Sequence, residues 1–240
     1  MLNHLIPICF ITGLLLSSSL SAQSFQSGKT QTQLLELYSS QGCSSCPPAE
    51  RWISKQLTHP ELWKQFIPIV FHVDYWDYLG WKDPFSSTTH SQRQRLYKYQ
   101  GGISSVYTPG MLMNGQEWRG WYRGHAIPVS QLKPGILSAE FNDDTLTVNF
   151  QNNKPLILNV SLLGFGLSTD VKRGENRGKY FTENFVVLYN QSTRSNDGNW
   201  KLDIPDLKDY PADSHALVIW VSNTDSLYPL QTTGGWIVNN

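Results

Sequence analysis

The chain has 240 residues, of which 40% are hydrophobic and 16% are charged, so it can bury a full core as one large or two smaller domains. Its 19 basic residues balance its 19 acidic residues, which gives no sign of a nucleic acid or an anionic membrane as a partner. The 13 Pro and 18 Gly favour short elements joined by turns, as in a mostly β or an α+β protein.

Residues 1–22 predict a cleaved secretory signal peptide. Residues 5–16 form an apolar run that is too short to span a bilayer comfortably, and small residues follow it, with cleavage expected near Ser21 or Ala22. No Lys or Arg precedes the run, so an uncleaved anchor stays an alternative. We therefore expect a secreted or periplasmic protein that has no membrane attachment after signal cleavage.

The next feature is a pair of cysteines in the string QGCSSCPP. Cys9 lies inside the apolar run, so cleavage would leave Cys43 and Cys46, and an even number in an oxidising compartment favours a disulfide between them. Residues 34–38 predict a strand before the pair, and an amphipathic helix follows the prolines. Exposed N–H groups and the helix dipole stabilise a thiolate at a helix start, so this pair is suited to attack a disulfide and resolve it.

The following elements predict a βαβ unit and then a hairpin. Residues 66–76 are a nearly continuous apolar run, typical of a strand buried in a parallel sheet. Residues 75–85 form an aromatic loop, which either packs on the sheet or forms a groove for a peptide or small disulfide. Residues 86–100 predict a second helix, and residues 106–113 predict a strand that an Asn-Gly step at 114–115 turns into a hairpin.

Several strings of the sequence resemble a family of secreted bacterial proteins, DUF1223, whose activity is not established. The matching strings are LYSSQGCSSCPPAE, DYWDYLGWKDPF, RQRLYKYQ, YTPGMLMNG and RGENRG, which span most of the mature chain. The order of elements is also similar to that of the thioredoxin-like superfamily. These resemblances imply an α/β thioredoxin-like domain, with a central mixed sheet flanked by helices, and a redox role. The last helix of such a domain should fall within residues 124–138, where Pro128 and Pro134 predict an interruption.

The resemblance also implies roles for individual residues. Cys43 would be the attacking thiol and Cys46 the resolving thiol of thiol–disulfide exchange. Thr108 and Pro109 would form a cis-proline step facing the cysteines, which leaves the backbone of Thr108 free to pair with an extended peptide. Without the resemblance, the residues alone favour an ordinary trans proline. Glu36 either accepts the proton of the resolving thiol or is a strand residue that faces solvent or pairs with a lysine.

Two other functions stay open. Cys43, Cys46 and His72 could bind a soft metal ion such as Cu(I) or Zn(II), which would make the protein a metal carrier, although a fourth ligand is not evident. Alternatively, the cysteine pair is a structural disulfide, and the β-rich part binds an envelope ligand. The exchange hypothesis needs no cofactor besides the redox-active disulfide. Its partner would be a protein or small-molecule thiol or disulfide, and the direction of exchange is open.

A change of composition near residue 140 predicts a β-rich C-terminal part. Short apolar runs separated by turn residues indicate strands at residues 145–150, 156–160, 185–188, 200–202 and 216–221. We interpret them as a sandwich-like domain over residues 140–240, after the thioredoxin-like domain over residues 30–138. The Gly-Glu-Asn-Arg-Gly string at residues 174–178 is interpreted as a turn or bulge, because Gly and Asn tolerate a positive φ.

Overall fold

The computed structural model describes residues 22–238 of the chain. The predicted signal peptide at residues 1–22, including Cys9 and Ser21, therefore lies outside the described residues except for Ala22. No helix in residues 22–238 is long and apolar enough to cross a membrane.

Strand is the main regular structure in these residues, which contain two α-helices. The helices are α1 (Pro47–Ser54) and α2 (Thr88–Tyr99). The strands are β1 (Gln23–Gln26), β2 (Gln33–Ser39), β3 (Phe66–His72), β4 (Gly110–Met113), β5 (Gln116–Glu117), β6 (Leu137–Asn142), β7 (Thr145–Phe150), β8 (Leu156–Phe165), β9 (Leu167–Asp170), β10 (Tyr180–Glu183), β11 (Val186–Ser195), β12 (Asn199–Asp203), β13 (Ser214–Asn223) and β14 (Pro229–Trp236).

The largest sheet has eight strands in the order β14-β13-β8-β11-β3-β2-β4-β5. β2 pairs in parallel with β3 and antiparallel with β4, and every residue of β2 and β3 is buried. The other edge of β3 pairs in parallel with β11, and the N–H of Val70 donates to the carbonyl oxygen of Phe185 at 2.8 Å. The sheet thus contains strands from both sides of the boundary predicted near residue 140.

A second, four-stranded sheet in the order β1-β6-β7-β12 encloses the other hydrophobic core with β8 and β13. Successive side chains of a strand point to opposite faces of its sheet. Leu162 of β8 and Leu217 of β13 accordingly face this core, whereas Leu163 and Ala216 face the core that contains β2, β3 and α1. β9 and β10 form a separate two-stranded sheet, and we call the residues 171–179 between them the β9–β10 loop.

The predicted fold class, an α/β thioredoxin-like domain with a central mixed sheet flanked by helices and then a sandwich-like domain, is wrong. The described chain is mostly β with several sheets, and it has two α-helices. One reason is that β11, a strand of the C-terminal part, pairs with the edge of β3. The buried backbone N–H and C=O groups on that edge need hydrogen-bond partners, and β11 supplies them. Another is that residues 125–136, where the last helix of a thioredoxin-like domain would fall, have no helix. Pro128 and Pro134 each lack the N–H that a helix interior requires.

Several local predictions are confirmed. β4 and β5 form an antiparallel hairpin, and its turn residues Asn114 and Gly115 have φ values of 47° and 83°. Positive φ at both central residues is what a two-residue turn of this kind requires, and Asn-Gly tolerates it well. The predicted helix at 86–100 is α2, which begins after Ser87, whose Oγ accepts a hydrogen bond from the N–H of Thr89.

Candidate functional site

Cys43 and Cys46 form a disulfide at the start of α1. Their Cα atoms are 5.5 Å apart, a usual separation for disulfide-bonded residues. Cys46 is the N-cap residue, and its carbonyl oxygen accepts hydrogen bonds from the N–H groups of Ala49 and Glu50 at 2.9 and 3.2 Å. Each cysteine is only 1% exposed, although the two serines between them are exposed. The disulfide therefore has the predicted position but is shielded from solvent.

The β9–β10 loop is bonded to the backbone on both sides of Cys43. Nδ2 of Asn176, a fully buried residue, donates to the carbonyl oxygens of Gln41 and Cys43 at 2.8 and 2.9 Å. Oε2 of Glu175 accepts a hydrogen bond from the N–H of Ser44 at 3.0 Å. This loop contains the Gly-Glu-Asn-Arg-Gly string at residues 174–178, which we interpreted from the sequence as a turn or bulge. In the structure, side chains of this string also hold the segment that carries the disulfide.

Trp76 of the aromatic loop lies between the cysteine segment and the cis-proline step. A Cβ placed on Gly42 would be 3.0 Å from the Cβ of Trp76, so the two segments approach closely where Gly leaves room. Nε1 of Trp76 donates to Oγ1 of Thr108 at 2.7 Å. The Thr108–Pro109 peptide bond is cis, which confirms that prediction, while the roles of these two residues in exchange stay predictions.

His72 is the centre of a buried cluster of charged residues. Its Nδ1 is 2.7 Å from Oδ2 of Asp83, and its Nε2 is 3.8 Å from both Oε1 of Glu50 and Oε1 of Glu183. Gln41 joins two of these carboxylates, since its N–H donates to Asp83 at 2.7 Å and its Nε2 donates to Oε2 of Glu183 at 2.6 Å. Gln41 therefore links the cluster to the cysteine segment.

Burial and mutual charge shift the pKa values of this cluster. Burial lowers the pKa of His72, but the nearby carboxylates of Asp83, Glu183 and Glu50 outweigh it and raise that pKa to about 10. Burial raises the pKa of Glu183 to about 8 and also raises the pKa of Glu50. For Asp83, the effects of the His72 charge and of hydrogen bonds exceed that of burial and lower its pKa. The cluster contains three carboxyl groups and one imidazole, so it has a net negative charge when all four groups are ionised. Because that charge is buried, it must be neutralised by protons on the carboxyl groups or by another cation.

A cavity of about 750 Å³ connects the disulfide with this cluster. Glu50 of α1 and the N-cap residue Cys46 lie in one wall, and Tyr180 and Glu183 of β10 lie in the other. Concave sites of this size that combine apolar walls with a few polar groups are typical of ligand-binding sites. A small molecule or an extended segment in this cavity would approach Cys46 and the two glutamates together.

Glu36 lies in a different polar environment. Its carboxylate accepts hydrogen bonds from Nε of Arg93 and the hydroxyls of Tyr38 and Tyr97, at 2.9, 2.9 and 2.5 Å. Within residues 22–238, no hydrogen bond joins it to Cys43 or Cys46. Its proton-accepting role stays a prediction, and the contacts observed are those of a buried ion pair.

The structure does not group His72 with the two cysteines. In the described part of the chain, the potential metal ligands that converge with His72 are Glu50 and Glu183, whose ligand atoms and Nε2 all lie within 4.8 Å of one another. Cys43 and Cys46 are bonded to each other instead. A soft-metal site formed by Cys43, Cys46 and His72 stays a prediction, while the observed convergence at His72 is with carboxylates.

Sequence reasoning missed most members of this site. Glu50 had an available signal, because it lies four residues after Cys46 in a helix and such residues share a face. Asn176 lies within a string that matches the family, but turn chemistry alone could account for that string. Asp83 likewise lies within a string that matches the family, in the aromatic loop, but nothing there indicates His72 as its partner, and Glu183 had no local signal because it reaches His72 from a distant strand.

Comparisons with known proteins give a family and a fold. A family model described as a protein of unknown function, DUF1223, matches residues 34–222. Protein AGR_C_4864 from Agrobacterium tumefaciens is 22% identical, with a TM-score of 0.61 over 89% of this chain and 97% of that one. HBP35 of Porphyromonas gingivalis is 13% identical, with a TM-score of 0.56 over 87% of this chain and 76% of that one. At these identities the likeness concerns the fold. No match was found among curated proteins.

Proposed function

The chain belongs to the DUF1223 family, and we propose that this member carries out thiol–disulfide exchange through Cys43 and Cys46. The observation that supports this proposal is the position of the disulfide at the start of α1, beside a cavity of about 750 Å³. N–H groups at a helix start stabilise a thiolate, which makes such a cysteine a better nucleophile and a better leaving group. The cavity borders Cys46, the thiolate that leaves when Cys43 is attacked, so a substrate bound there lies beside the disulfide but reaches Cys43 only after a local opening.

The proposed reaction is a two-step exchange. A substrate thiolate attacks the sulfur of Cys43, the Cys43–Cys46 bond breaks, and Cys46 leaves as a thiolate. A second substrate thiolate then attacks the substrate sulfur of the mixed disulfide and releases Cys43 as a thiolate. Two electrons pass from the two substrate thiols to the protein, and a second thiol–disulfide couple must remove them. The reverse sequence reduces a substrate disulfide.

Access to Cys43 in this scheme requires a movement of the β9–β10 loop. Asn176 and Glu175 hold the backbone of Cys43 and Ser44, and both cysteines are buried while these contacts exist. Breaking a few hydrogen bonds locally costs far less than unfolding the domain. We therefore propose that exchange occurs from a minor, locally open form of this loop.

We place the reaction outside the cytoplasm. The apolar run at residues 5–16 and the small residues after it have the pattern of a secretory signal, and disulfides persist in extracytoplasmic compartments. The partner would be a protein or small-molecule thiol or disulfide. The cavity between α1 and β10 favours a substrate that is small or extended where it lies beside Cys46.

An equilibrium redox titration tests the proposal. The mature protein is equilibrated in glutathione or dithiothreitol buffers of known potential, and the free thiols are counted by alkylation. A reduction potential between about −120 and −270 mV would place the pair among exchange catalysts. A potential below about −300 mV is expected of a structural disulfide and would contradict the proposal.

A second experiment tests the assigned order of the thiols. We expect Cys46→Ser to accumulate a mixed disulfide through Cys43 when it is incubated with a periplasmic extract, because the resolving thiol is missing. Cys43→Ser should trap less, and the double variant should trap nothing. Equal trapping by both single variants would contradict the assigned order, and no trapped species with either would contradict exchange.

A structural disulfide is the second candidate, and the exposure of only 1% at each cysteine favours it. In that case the protein would act through binding by another surface, with the disulfide fixing the start of α1. This candidate predicts that the double cysteine-to-serine variant keeps its function, and the redox titration separates it from exchange.

A further inference from the structure

Three side chains with metal-ligating atoms meet beside the cavity: Glu50 and Glu183 line it, and His72 is fully buried next to them. Glu50 comes from α1, His72 from the end of β3, and Glu183 from the end of β10. Nε2 of His72 is 3.8 Å from the nearest carboxylate oxygen of each glutamate. The side chains are 12% exposed for Glu50, 4% for Glu183 and fully buried for His72. Their convergence from three separate elements is a property of the tertiary fold.

Atoms at the centre of this cluster have no hydrogen-bond partner. Nε2 of His72 and both carboxylate oxygens of Glu50 are buried and make no close hydrogen bond within the described chain, although Nε2 is 3.8 Å from two carboxylates and Ser39 lies near enough to Glu50 to oppose the rise of its pKa. A buried polar atom without a partner costs about 1–3 kcal/mol, and more for a charged group. A protonated His72 forms a long ion pair with the two glutamates through Nε2, whereas in a neutral His72 the same nitrogen and the carboxylate oxygens can donate electron pairs to one cation between them.

The surrounding residues orient these ligands as in known metal sites. Nδ1 of His72 is 2.7 Å from Asp83, so a proton on Nδ1 leaves Nε2 free to face the two glutamates. Asp83 is itself fixed by the N–H groups of Gln41 and Phe85 at 2.7 and 3.0 Å. A carboxylate that holds the second nitrogen of a ligating histidine is the usual outer shell of a zinc site. Oε2 of Glu183 is likewise held by Gln41, which leaves its Oε1 toward His72.

We propose that Glu50, His72 and Glu183 bind a divalent metal ion such as Zn²⁺, with a fourth position open to the cavity. Zinc is bound by imidazole nitrogen and carboxylate oxygen at about 2.0–2.2 Å, which places tetrahedral ligands about 3.3–3.6 Å apart. The two separations from His72 are 3.8 Å and all three ligand atoms lie within 4.8 Å of one another, so the ligands would move closer together on binding the ion. Cu(I) prefers sulfur ligands and Mg²⁺ prefers oxygen ligands, so this mixed set favours a zinc-like ion. This inference does not depend on the proposed exchange reaction.

Zinc titration of the chelator-treated protein, with the disulfide intact, tests the inference. We expect one equivalent of Zn²⁺ to bind by calorimetry and elemental analysis. Glu50→Gln, Glu183→Gln and His72→Gln should each weaken binding by at least about tenfold. Asp83→Asn should weaken it by about 10-fold to 100-fold, because it orients His72 without touching the ion.

Two control variants show whether zinc binding depends on this cluster, on a different histidine or on the cysteines. His215 is also buried, in β13, and His215→Gln should leave zinc binding unchanged. The Cys43→Ser/Cys46→Ser variant should also bind one equivalent, and a Co²⁺ substitute should have a spectrum without a sulfur-to-cobalt charge-transfer band.

The absence of stoichiometric binding would overturn the proposal, and so would loss of the metal in the double cysteine variant. A melting-temperature measurement on each variant guards against misfolding. Zn²⁺ should raise the melting temperature of the wild-type protein clearly more than that of Glu183→Gln. An equal rise in both would also overturn the proposal. The proposed metal site contains no cysteine, so failure of the metal proposal would not affect the exchange hypothesis. For the same reason, the redox titration would not decide whether the metal site exists.

Discussion

Replacing Asn176 by alanine should make the disulfide much easier to reduce. The substitution removes both hydrogen bonds from Asn176 to the carbonyl oxygens of Gln41 and Cys43. Each is expected to contribute about 0.5–1.5 kcal/mol net, so the closed form of the β9–β10 loop should lose about 1–3 kcal/mol. Every 1.4 kcal/mol is a factor of ten, which predicts a rise of about 5-fold to 150-fold in the open population.

The assay measures the rate at which excess dithiothreitol reduces the Cys43–Cys46 bond in folded protein. When the loop opens and closes faster than the thiol reacts, this rate follows the open population, so it should rise by the same factor. Global stability is measured in parallel by urea unfolding of the oxidised protein. A faster reduction in the absence of urea, where the protein is folded, would then report local opening of the loop.

Asn159→Ala is a matched control for Asn176→Ala. Asn159 is also a buried asparagine, but it bonds to Ser192 and Ser222, within the C-terminal strands of the large sheet. Its replacement should lower global stability without a comparable effect on the reduction rate. If both variants reduce at the wild-type rate, or if Asn159→Ala accelerates reduction as much as Asn176→Ala, the loop does not control access and the reasoning is refuted.

Two further predictions concern buried contacts near the site. Arg93→Met should destabilise the protein by about 3–5 kcal/mol in urea unfolding, because it leaves the buried Glu36 carboxylate without its charged partner, and the Glu36→Gln/Arg93→Met double variant should recover part of the loss. A loss below about 1 kcal/mol would contradict a buried ion pair. Trp76→Phe and Thr108→Val remove the same hydrogen bond, so their effects on stability should be non-additive by about 0.5–1.5 kcal/mol, whereas simple additivity would show that the bond contributes nothing.

Much of the local structure was predictable because it depends on neighbours in the chain. Two cysteines three positions apart before a proline-led helix can close a disulfide wherever the rest of the chain lies, and they do. The strand predicted at residues 145–150 is β7, with the same bounds, because its alternating apolar residues have one face to bury. The Asn-Gly turn likewise follows from the backbone preferences of two residues.

The charged cluster was not predictable in this way. Gln41 and Glu183 are 142 positions apart, and their hydrogen bond exists only because the fold brings the end of β10 to the segment before α1. His72 was noticed as a candidate ligand, but its carboxylate partners could not be chosen from the many in the chain. A contact between such distant residues produces no periodic pattern in the sequence, because the residues next to each partner in the chain do not indicate which distant residue it will contact.

By itself the sequence determined the local elements: the cysteine pair at the start of a helix, the second helix, the hairpin and most of the C-terminal strands. The tertiary fold alone sets the pairing of β11 with the edge of β3, the hydrogen bonds between the β9–β10 loop and the cysteine segment, and the convergence of Glu50, His72 and Glu183. The physical reason is the range of the forces involved. Backbone preferences and side-chain periodicity act over a few residues, whereas strand pairing and burial of charge depend on which distant segments the whole fold brings together.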